Sequence, residues 1–202
     1  MAEKSTEIKT NIFHKNTTVV DNSYWINRVT DLHKNNKYVP HVHSIPLGDD
    51  FYDLKQSLFK VLYEECTNIF GDIEPINSVT CSAYISNKNW YRNGIHHHTA
   101  MSIINSVYYL NVPSKTSGGI SFFRDPIGEV PSDQIVEGYH KYFTYQPDNN
   151  DLLIFPNYLL HNPEFNNSEE FRISINMEIY CADVWTRRRM QKARSKYTQN
   201  RE

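Results

Sequence analysis

The spacing of apolar residues changes near residue 78, from a helical period to short alternating runs. Before that point, apolar side chains recur every three or four positions, at Phe51, Leu54, Leu58 and Leu62. Aspartates precede this stretch and Gly71 follows it. The pattern predicts an amphipathic helix over about residues 50–70. Residues 1–48 carry only short apolar pieces without a sustained period, which indicates extended segments and loops wrapped over a core.

The second half of the chain consists of short apolar runs separated by turns that contain Asn, Pro, Gly or Asp. The runs are residues 79–85, 102–112, 119–123, 142–145, 152–155 and 171–180. Such runs without an intervening helical period predict a mainly β fold, an antiparallel sandwich or barrel. We expect a single domain over residues 1–202, with an N-terminal extension at 1–77, a β core at 78–182 and a short basic C-terminal helix or tail at 183–202.

Composition and charge exclude several classes of protein. With 202 residues, of which 39% are hydrophobic and 22% charged, the chain matches a globular domain rather than a disordered or fibrous protein. A formal net charge of −2 provides no general attraction for nucleic acid. The basic cluster Arg187, Arg188 and Arg189 fits a solvated terminal helix better than a phosphate-binding patch.

The cysteines and the N-terminus bear on the cellular compartment. Cys66, Cys81 and Cys181 show no paired metal-binding spacing, so reduced thiols in a cytoplasm are expected. The polar N-terminus lacks the apolar core of a signal peptide, and no apolar run reaches the roughly 18 residues of a membrane span. We therefore expect a cytoplasmic protein without a membrane partner, and the sequence does not indicate an oligomeric state.

Three histidines that are separated along the chain are candidates for one metal site. His96 and His98 are two positions apart between predicted strands, so in extended backbone they face the same side. His161 follows the apolar run at 152–160. Imidazoles on neighbouring strands can converge on one divalent metal and leave coordination positions open, which suits Fe(II) chemistry with O2. His97 stays an alternative to one member of the pair. The other histidines are expected to be structural or exposed: His14, His33, His41, His43 and His140.

An arginine and a serine follow His161 in the last predicted strand. Burial of Arg172 in an apolar strand is costly unless the guanidinium meets an anion, usually a carboxylate. A structural ion pair would meet this requirement as well as a bound ligand would. Ser174 lies two positions further along the same predicted strand, and a histidine followed at this distance by Arg-x-Ser on a strand is a specific pattern.

Taken in order, these motifs resemble those of the Fe(II)- and 2-oxoglutarate-dependent oxygenases. The similarity is greatest to the prolyl-hydroxylase-like branch and to small oxygenases of marine bacteria and their phages. It rests on His96-x-His98, residues 106–111, 117–126 and 151–156, His161 and Arg172-x-Ser174. Together these segments span about residues 78–180, in the order and near the spacing of the family.

The resemblance implies a double-stranded β-helix (jelly-roll) that uses Fe(II) and 2-oxoglutarate. The implied iron ligands are His96, His98 and His161, and the implied cosubstrate-binding residues are Arg172, Ser174, Tyr109 and Tyr84. The arginine would pair with the distal carboxylate of 2-oxoglutarate. The implied reaction is hydroxylation of a substrate by O2, with release of succinate and CO2. The sequence does not identify the substrate, and a phage-encoded protein in a host cytoplasm would fit the resemblance.

Two other interpretations stay open. The family more often has Asp or Glu where His98 stands, and three neutral ligands also suit a cupin-type dioxygenase that uses no 2-oxoglutarate. That interpretation leaves Arg172 and Ser174 without a role. A non-catalytic jelly-roll, such as a phage structural module, would need neither the three histidines nor the buried arginine.

Overall fold

Two helices and two β-sheets make up the part of the chain that the structure describes. The computed structural model describes residues 6–9, 11–35, 44–71, 78–88, 94–98 and 102–180. The helices are α1 (Asn22–Asn35) and α2 (Tyr52–Phe70). The strands are β1 (Thr6–Lys9), β2 (Ile12–Asn16), β3 (Ser44–Pro46), β4 (Ser78–Ser86), β5 (Ser102–Asn111), β6 (Ile120–Arg124), β7 (Ile135–Val136), β8 (Tyr139–Tyr145), β9 (Asp151–Pro156), β10 (Leu160–Pro163) and β11 (Arg172–Tyr180).

The order of the strands is that of a jelly-roll. The larger sheet has the order β1-β2-β9-β5-β11-β4-β3, and the smaller sheet has the order β10-β6-β8-β7. The pairings between these described strands are antiparallel. From β8 onward the chain alternates between the sheets, because β9 and β11 belong to the larger sheet and β10 to the smaller one. The prediction of a mainly β, double-stranded β-helix is therefore confirmed.

Strand β5 shows how alternation divides the buried side chains between two cores. Tyr108 and Leu110 are buried in a cluster that includes residues of α1 and α2. Val107 and Tyr109 are buried in a second cluster, with side chains of the smaller sheet. Because successive residues of a strand point to opposite faces, one strand contributes both to the helix-covered core and to the lining of the space between the sheets.

Helix α2 confirms the amphipathic helix predicted over about residues 50–70. Its buried apolar side chains are Leu54, Leu58, Leu62 and Cys66. Each fully buried leucine stabilises the contact by about 1.5–3 kcal/mol. The helix follows a 3-10 turn at Asp49–Phe51 and ends at Phe70, and the N–H of the next residue, Gly71, donates to the Thr67 carbonyl at 2.8 Å. Gly71 has a φ of 80°, a conformation that favours glycine at a helix end.

Helix α1 shows that the expectation of loops and extended segments over residues 1–48 was wrong for part of that region. Asp21 caps the helix, since its Oδ1 accepts the N–H of Ser23 at 3.0 Å. The buried side chains of α1 are Trp25 and Val29, one turn apart. Ile26 and Leu32 are partly buried against the same cluster, but most residues of α1 are polar. Packing against the larger sheet therefore stabilises this helix more than its own pattern does.

The strands of the N-terminal segment extend the larger sheet. Strand β2 pairs with β9, and β3 pairs with β4, so the segment before residue 78 contributes three strands to the sheet formed by the β core. The C-terminal helix predicted at 183–202 lies outside the described residues. Among the described helices, none combines the length and the apolar character that a membrane crossing requires.

Candidate active site

Backbone hydrogen bonds between two distant segments bring three histidines together. The His96 N–H donates to the His161 carbonyl at 3.1 Å, and the His161 N–H donates to the His96 carbonyl at 2.9 Å. The His98 N–H donates to the Asn157 carbonyl at 3.0 Å, in the turn between β9 and β10. As a result, one ring nitrogen from each of the three imidazoles lies within 4.8 Å of the other two, a grouping that could hold a metal ion.

The outer hydrogen bonds of the three rings determine which nitrogen faces the group. His96 and His161 each bond through Nδ1 to the backbone carbonyl two residues earlier, both at 2.8 Å. The Nδ1 of His98 lies 3.0 Å from a carboxylate oxygen of Glu178. An acceptor that faces Nδ1 requires this nitrogen to carry the proton, so Nε2 of each ring has the available lone pair. Histidines that bind metals are oriented in this way.

Burial keeps two of these imidazoles, those of His96 and His161, in the neutral form that binds metals. His161 is 5% exposed, and burial together with the neighbouring His96 lowers its pKa to about 3. Burial also lowers the pKa of His96. A metal ligand must offer an unprotonated nitrogen, so near neutral pH these two rings can bind a cation without first losing a proton.

A buried arginine lines the same cavity as the three histidines. Arg172 is 2% exposed, and its Nη1 donates to the carbonyls of Ser117 at 2.8 Å and Gly119 at 3.3 Å. None of the ion pairs between described residues includes Arg172. Burial lowers its pKa, yet an arginine side chain stays protonated in proteins. The cavity therefore contains a positive charge that no described carboxylate pairs with.

Tyr109, Ser174 and Tyr84 lie side by side on the inner face of the larger sheet. Ser174 on β11 is paired with Tyr109 on β5 and with Tyr84 on β4, and all three line the cavity together with Arg172. Burial raises the pKa of both tyrosines, which keeps their hydroxyl groups protonated. Three hydroxyl groups next to a guanidinium form a cluster of hydrogen-bond donors, which is typical of a site that binds a carboxylate.

Glu178 lines the cavity as well, although it was not among the residues singled out in the sequence. Arg172, Ser174, Asn176 and Glu178 occupy alternate positions of β11, and all four line the cavity. The period of two that places Ser174 beside Arg172 therefore extends to Glu178. That period was the available signal, but the proximity of Glu178 to His98 depends on the fold.

The other histidines lie apart from this group. His97 is exposed, and it belongs neither to the three-histidine group nor to the cavity lining. Three more make contacts elsewhere: His14 with Asp151, His33 with Phe171 and His140 with Arg124. His41 and His43 lie outside the described residues. His161 is on β10 of the smaller sheet, because β9 ends at Pro156 instead of continuing through residues 152–160 as one strand.

The fold and the cavity define a class of protein: a double-stranded β-helix with convergent imidazoles and a cluster of donors around a buried arginine. Residues 83–178 match the model of the family described as "Putative 2OG-Fe(II) oxygenase". The β core of the chain is thus similar in sequence to the 2-oxoglutarate- and Fe(II)-dependent oxygenases. The predicted resemblance to this family and to its prolyl-hydroxylase-like branch is confirmed, whereas the closeness to proteins of marine bacteria and phages stays a prediction.

Solved structures of low sequence identity share the fold. The viral collagen prolyl hydroxylase of Paramecium bursaria Chlorella virus-1 has a TM-score of 0.58 at 11% identity, covering 90% of this chain and 100% of that one. A prolyl hydroxylase from Trichoplax adhaerens has a TM-score of 0.58 at 13% identity, with coverage of 85% and 84%. The carbocyclase SnoK from nogalamycin biosynthesis has a TM-score of 0.63 at 10% identity, with coverage of 86% and 81%. No curated protein matches the sequence.

Proposed function

We propose that the protein hydroxylates an organic substrate with O2, using Fe(II) held by His96, His98 and His161 and 2-oxoglutarate bound at Arg172. The observation that carries the proposal is that one cavity contains both the three-imidazole group and a buried arginine without an ion-pair partner among the described residues. Either feature alone occurs in structural roles. Their combination matches the requirements of the metal and of a dicarboxylate cosubstrate.

The three imidazoles suit Fe(II). Imidazole nitrogen is a common ligand of non-haem iron, and a group of three protein ligands leaves coordination positions for other molecules. Within the described residues, the group contains His96, His98 and His161 and no further ligand. The Nδ1 hydrogen bonds hold each ring in the orientation that directs Nε2 to the metal.

The donor cluster suits the distal carboxylate of 2-oxoglutarate. Arg172 would form a charge-assisted pair with this carboxylate, and such a pair is strong in a buried site because water does not screen it. The hydroxyl groups of Ser174 and Tyr109 would donate to the same carboxylate, and Tyr84 would line the pocket beside them. The backbone bonds to Ser117 and Gly119 already orient the guanidinium.

The residues of this chain bind, orient and exclude water. When bound, iron and 2-oxoglutarate supply the oxidising chemistry, in which O2 is consumed, succinate and CO2 are released and a substrate C–H bond gains oxygen. Val107 and Ile120 contribute buried apolar surface to the cavity lining and limit the access of water. Hydroxylation is supported as the outcome because two of the similar structures are prolyl hydroxylases.

We also infer that the N-terminal segment and the β core act as one domain. The pairing of β2 with β9 and of β3 with β4 makes the segment before residue 78 part of the larger sheet. The side chains of α1 and α2 share a buried cluster with that sheet. A segment with so many contacts to the core does not fold separately from it.

An anaerobic titration tests the proposed function. Adding Fe(II) and 2-oxoglutarate to the purified protein without O2 should produce a visible charge-transfer band, because the 2-oxo acid chelates the iron. Succinate lacks the 2-oxo group and serves as the matched control, with no band expected. Iron binding without a band would favour the cupin-type dioxygenase, and an absence of iron binding would favour the non-catalytic jelly-roll.

A further inference from the structure

One of the three histidines has an outer hydrogen bond of a different kind from the other two. His96 and His161 direct Nδ1 to backbone carbonyls of their own segments. The Nδ1 of His98 instead faces Oε1 of Glu178 at 3.0 Å, on a strand that is distant in sequence. The acceptor is therefore a side chain that can carry a negative charge, and the tertiary fold determines its position.

Glu178 is held in place from several sides. The Tyr180 hydroxyl donates to its Oε2 at 2.9 Å, so each carboxylate oxygen has a donor. The backbone of Glu178 is paired with Thr80 on β4 and with Asn105 on β5, within the larger sheet rather than at its edge. The side chain is 26% exposed and lines the cavity. These restraints give the carboxylate a defined orientation toward His98.

Charge makes this contact more than a steric support. A divalent metal held by three neutral imidazoles has no negatively charged protein ligand. A carboxylate that accepts a hydrogen bond from Nδ1–H makes the imidazole a stronger metal ligand through Nε2. It also places a negative charge on the far side of the ring from the metal. Among the ion pairs between described residues, this is the one that involves a member of the three-histidine group.

We propose that Glu178 is a positioning residue of the metal site. It fixes His98 with Nε2 toward the metal, and it supplies from outside the coordination sphere the negative charge that the three ligands lack. This inference rests on the three-histidine metal site of the proposed function. Tyr180 supports it by holding the other carboxylate oxygen.

Titration with Co(II), followed by its visible absorption, tests the proposal without requiring turnover. Glu178→Gln keeps an acceptor oxygen for His98 but loses the charge, whereas Glu178→Ala loses both. We expect Co(II) affinity to fall about 10–100-fold in Glu178→Ala, in line with other outer hydrogen-bond partners of metal ligands. Glu178→Gln should lie between this variant and the wild type.

A matched control is available at Glu164. Its side chain is 26% exposed, like that of Glu178, and it bonds to Ser121 instead of a histidine. Glu164→Gln removes the same charge and should bind Co(II) with wild-type affinity. Thermal unfolding of every variant in the absence of metal checks that each protein is folded.

Nitrogen-15 NMR of the histidine side chains gives a second measurement that loss of packing would not reproduce. In the metal-free wild type and in Glu178→Gln, His98 should be protonated at Nδ1. In Glu178→Ala, His98 should populate both tautomers, while His96 and His161 keep theirs. An unchanged His98 tautomer in Glu178→Ala would contradict the positioning role.

The outcomes separate this inference from the proposed function. If the wild type bound no Co(II), the metal site and the role of Glu178 would both be overturned. If the wild type bound Co(II) and Glu178→Ala bound it equally well, only the role of Glu178 would be overturned. Equal affinity of the wild type and Glu178→Gln, with a loss in Glu178→Ala, would overturn the contribution of the charge.

Discussion

Asp151 and Arg172 are two charged residues with nearly the same burial, 3% and 2% exposed, but with different surroundings. Asp151 accepts hydrogen bonds at both carboxylate oxygens, from His14 Nε2 at 3.0 Å, Asn16 Nδ2 at 2.7 Å, the Tyr145 hydroxyl at 2.7 Å and the Asp148 N–H at 2.7 Å. Among the described residues, Arg172 donates through Nη1 to the backbone carbonyls of Ser117 and Gly119 and forms no ion pair. Within the described part of the chain, hydrogen bonds satisfy the charge of Asp151, whereas the charge of Arg172 is oriented but has no ion-pair partner.

The difference indicates that the charge of Asp151 stabilises the fold, whereas the charge of Arg172 is available to bind a ligand. Burial raises the pKa of Asp151, but its hydrogen bonds outweigh this effect and hold the pKa below the ordinary value. The folded state therefore stabilises the charged carboxylate. Burial lowers the pKa of Arg172, which means that the fold disfavours its charge. A buried charge without internal compensation lowers stability unless a ligand supplies the counter-charge.

Removal of His161, the most buried member of the three-histidine group, should have the largest effect. His161→Ala deletes one of three proposed iron ligands, so Fe(II) or Co(II) binding and turnover should both fall below detection. Metal titration and succinate release measure the two effects. His97→Ala is the control, because His97 is exposed and outside the cavity, and it should keep both properties. A His97→Ala protein without metal binding would mean that His97, rather than one of its neighbours, is a ligand.

Replacement of Arg172 by an apolar residue of similar length should weaken 2-oxoglutarate binding without lowering the stability of the fold. In Arg172→Met, 2-oxoglutarate affinity should fall about 100-fold, because a buried carboxylate loses its charged partner. The free energy of unfolding should stay the same or rise by about 1 kcal/mol, since an uncompensated buried charge is removed. Calorimetric titration and urea unfolding measure these quantities. A large loss of stability with unchanged 2-oxoglutarate affinity would reverse the assignment.

Substitution of Asp151 should instead lower the stability of the fold more than it lowers 2-oxoglutarate affinity. Asp151→Asn leaves some of the donors around this position without an acceptor, so unfolding should become easier by about 3 kcal/mol. Its effect on 2-oxoglutarate affinity should be smaller than that of Arg172→Met. Asp148→Asn is the matched control, because the Asp148 side chain is exposed, and its effect on urea unfolding should stay within about 0.5 kcal/mol. If Asp151→Asn and Asp148→Asn changed the free energy of unfolding equally, the stabilising role of Asp151 would be contradicted.

Acid should reduce the stabilising effect of Asp151. Because the folded-state pKa is lowered, the contribution is fully present above the unfolded-state pKa, which is near 3.9, and it is lost as pH falls through the folded-state pKa. The difference in unfolding free energy between the wild type and Asp151→Asn should therefore be constant near neutral pH and shrink below about pH 4. Urea unfolding over a pH series measures it, and a difference that grows in acid would contradict the lowered pKa.

Local patterns in the sequence predicted several elements of the fold. The alternation of β11 places Arg172 and Ser174 on one face, and the three- to four-residue spacing around Leu58 predicts helix α2. Helix α1 was missed because most of its residues are polar, although Trp25, Val29 and Leu32 follow a helical spacing. The contact of Glu178 with His98 could not be predicted, because neither residue carries a local signal of the other.

The sequence by itself determined helix α2, the β character of the core and which side chains of β11 share a face, because a period of two or 3.6 residues depends only on the local chain. Tertiary structure alone decided which of these side chains meet. His96 and His161 become neighbours through the bridge between their segments, Asp151 gains its donors, and Arg172 has no ion-pair partner among the residues that the structure describes. Such relations depend on how β10 and β11 return to different sheets, and pairing between strands that are distant in sequence has no local period.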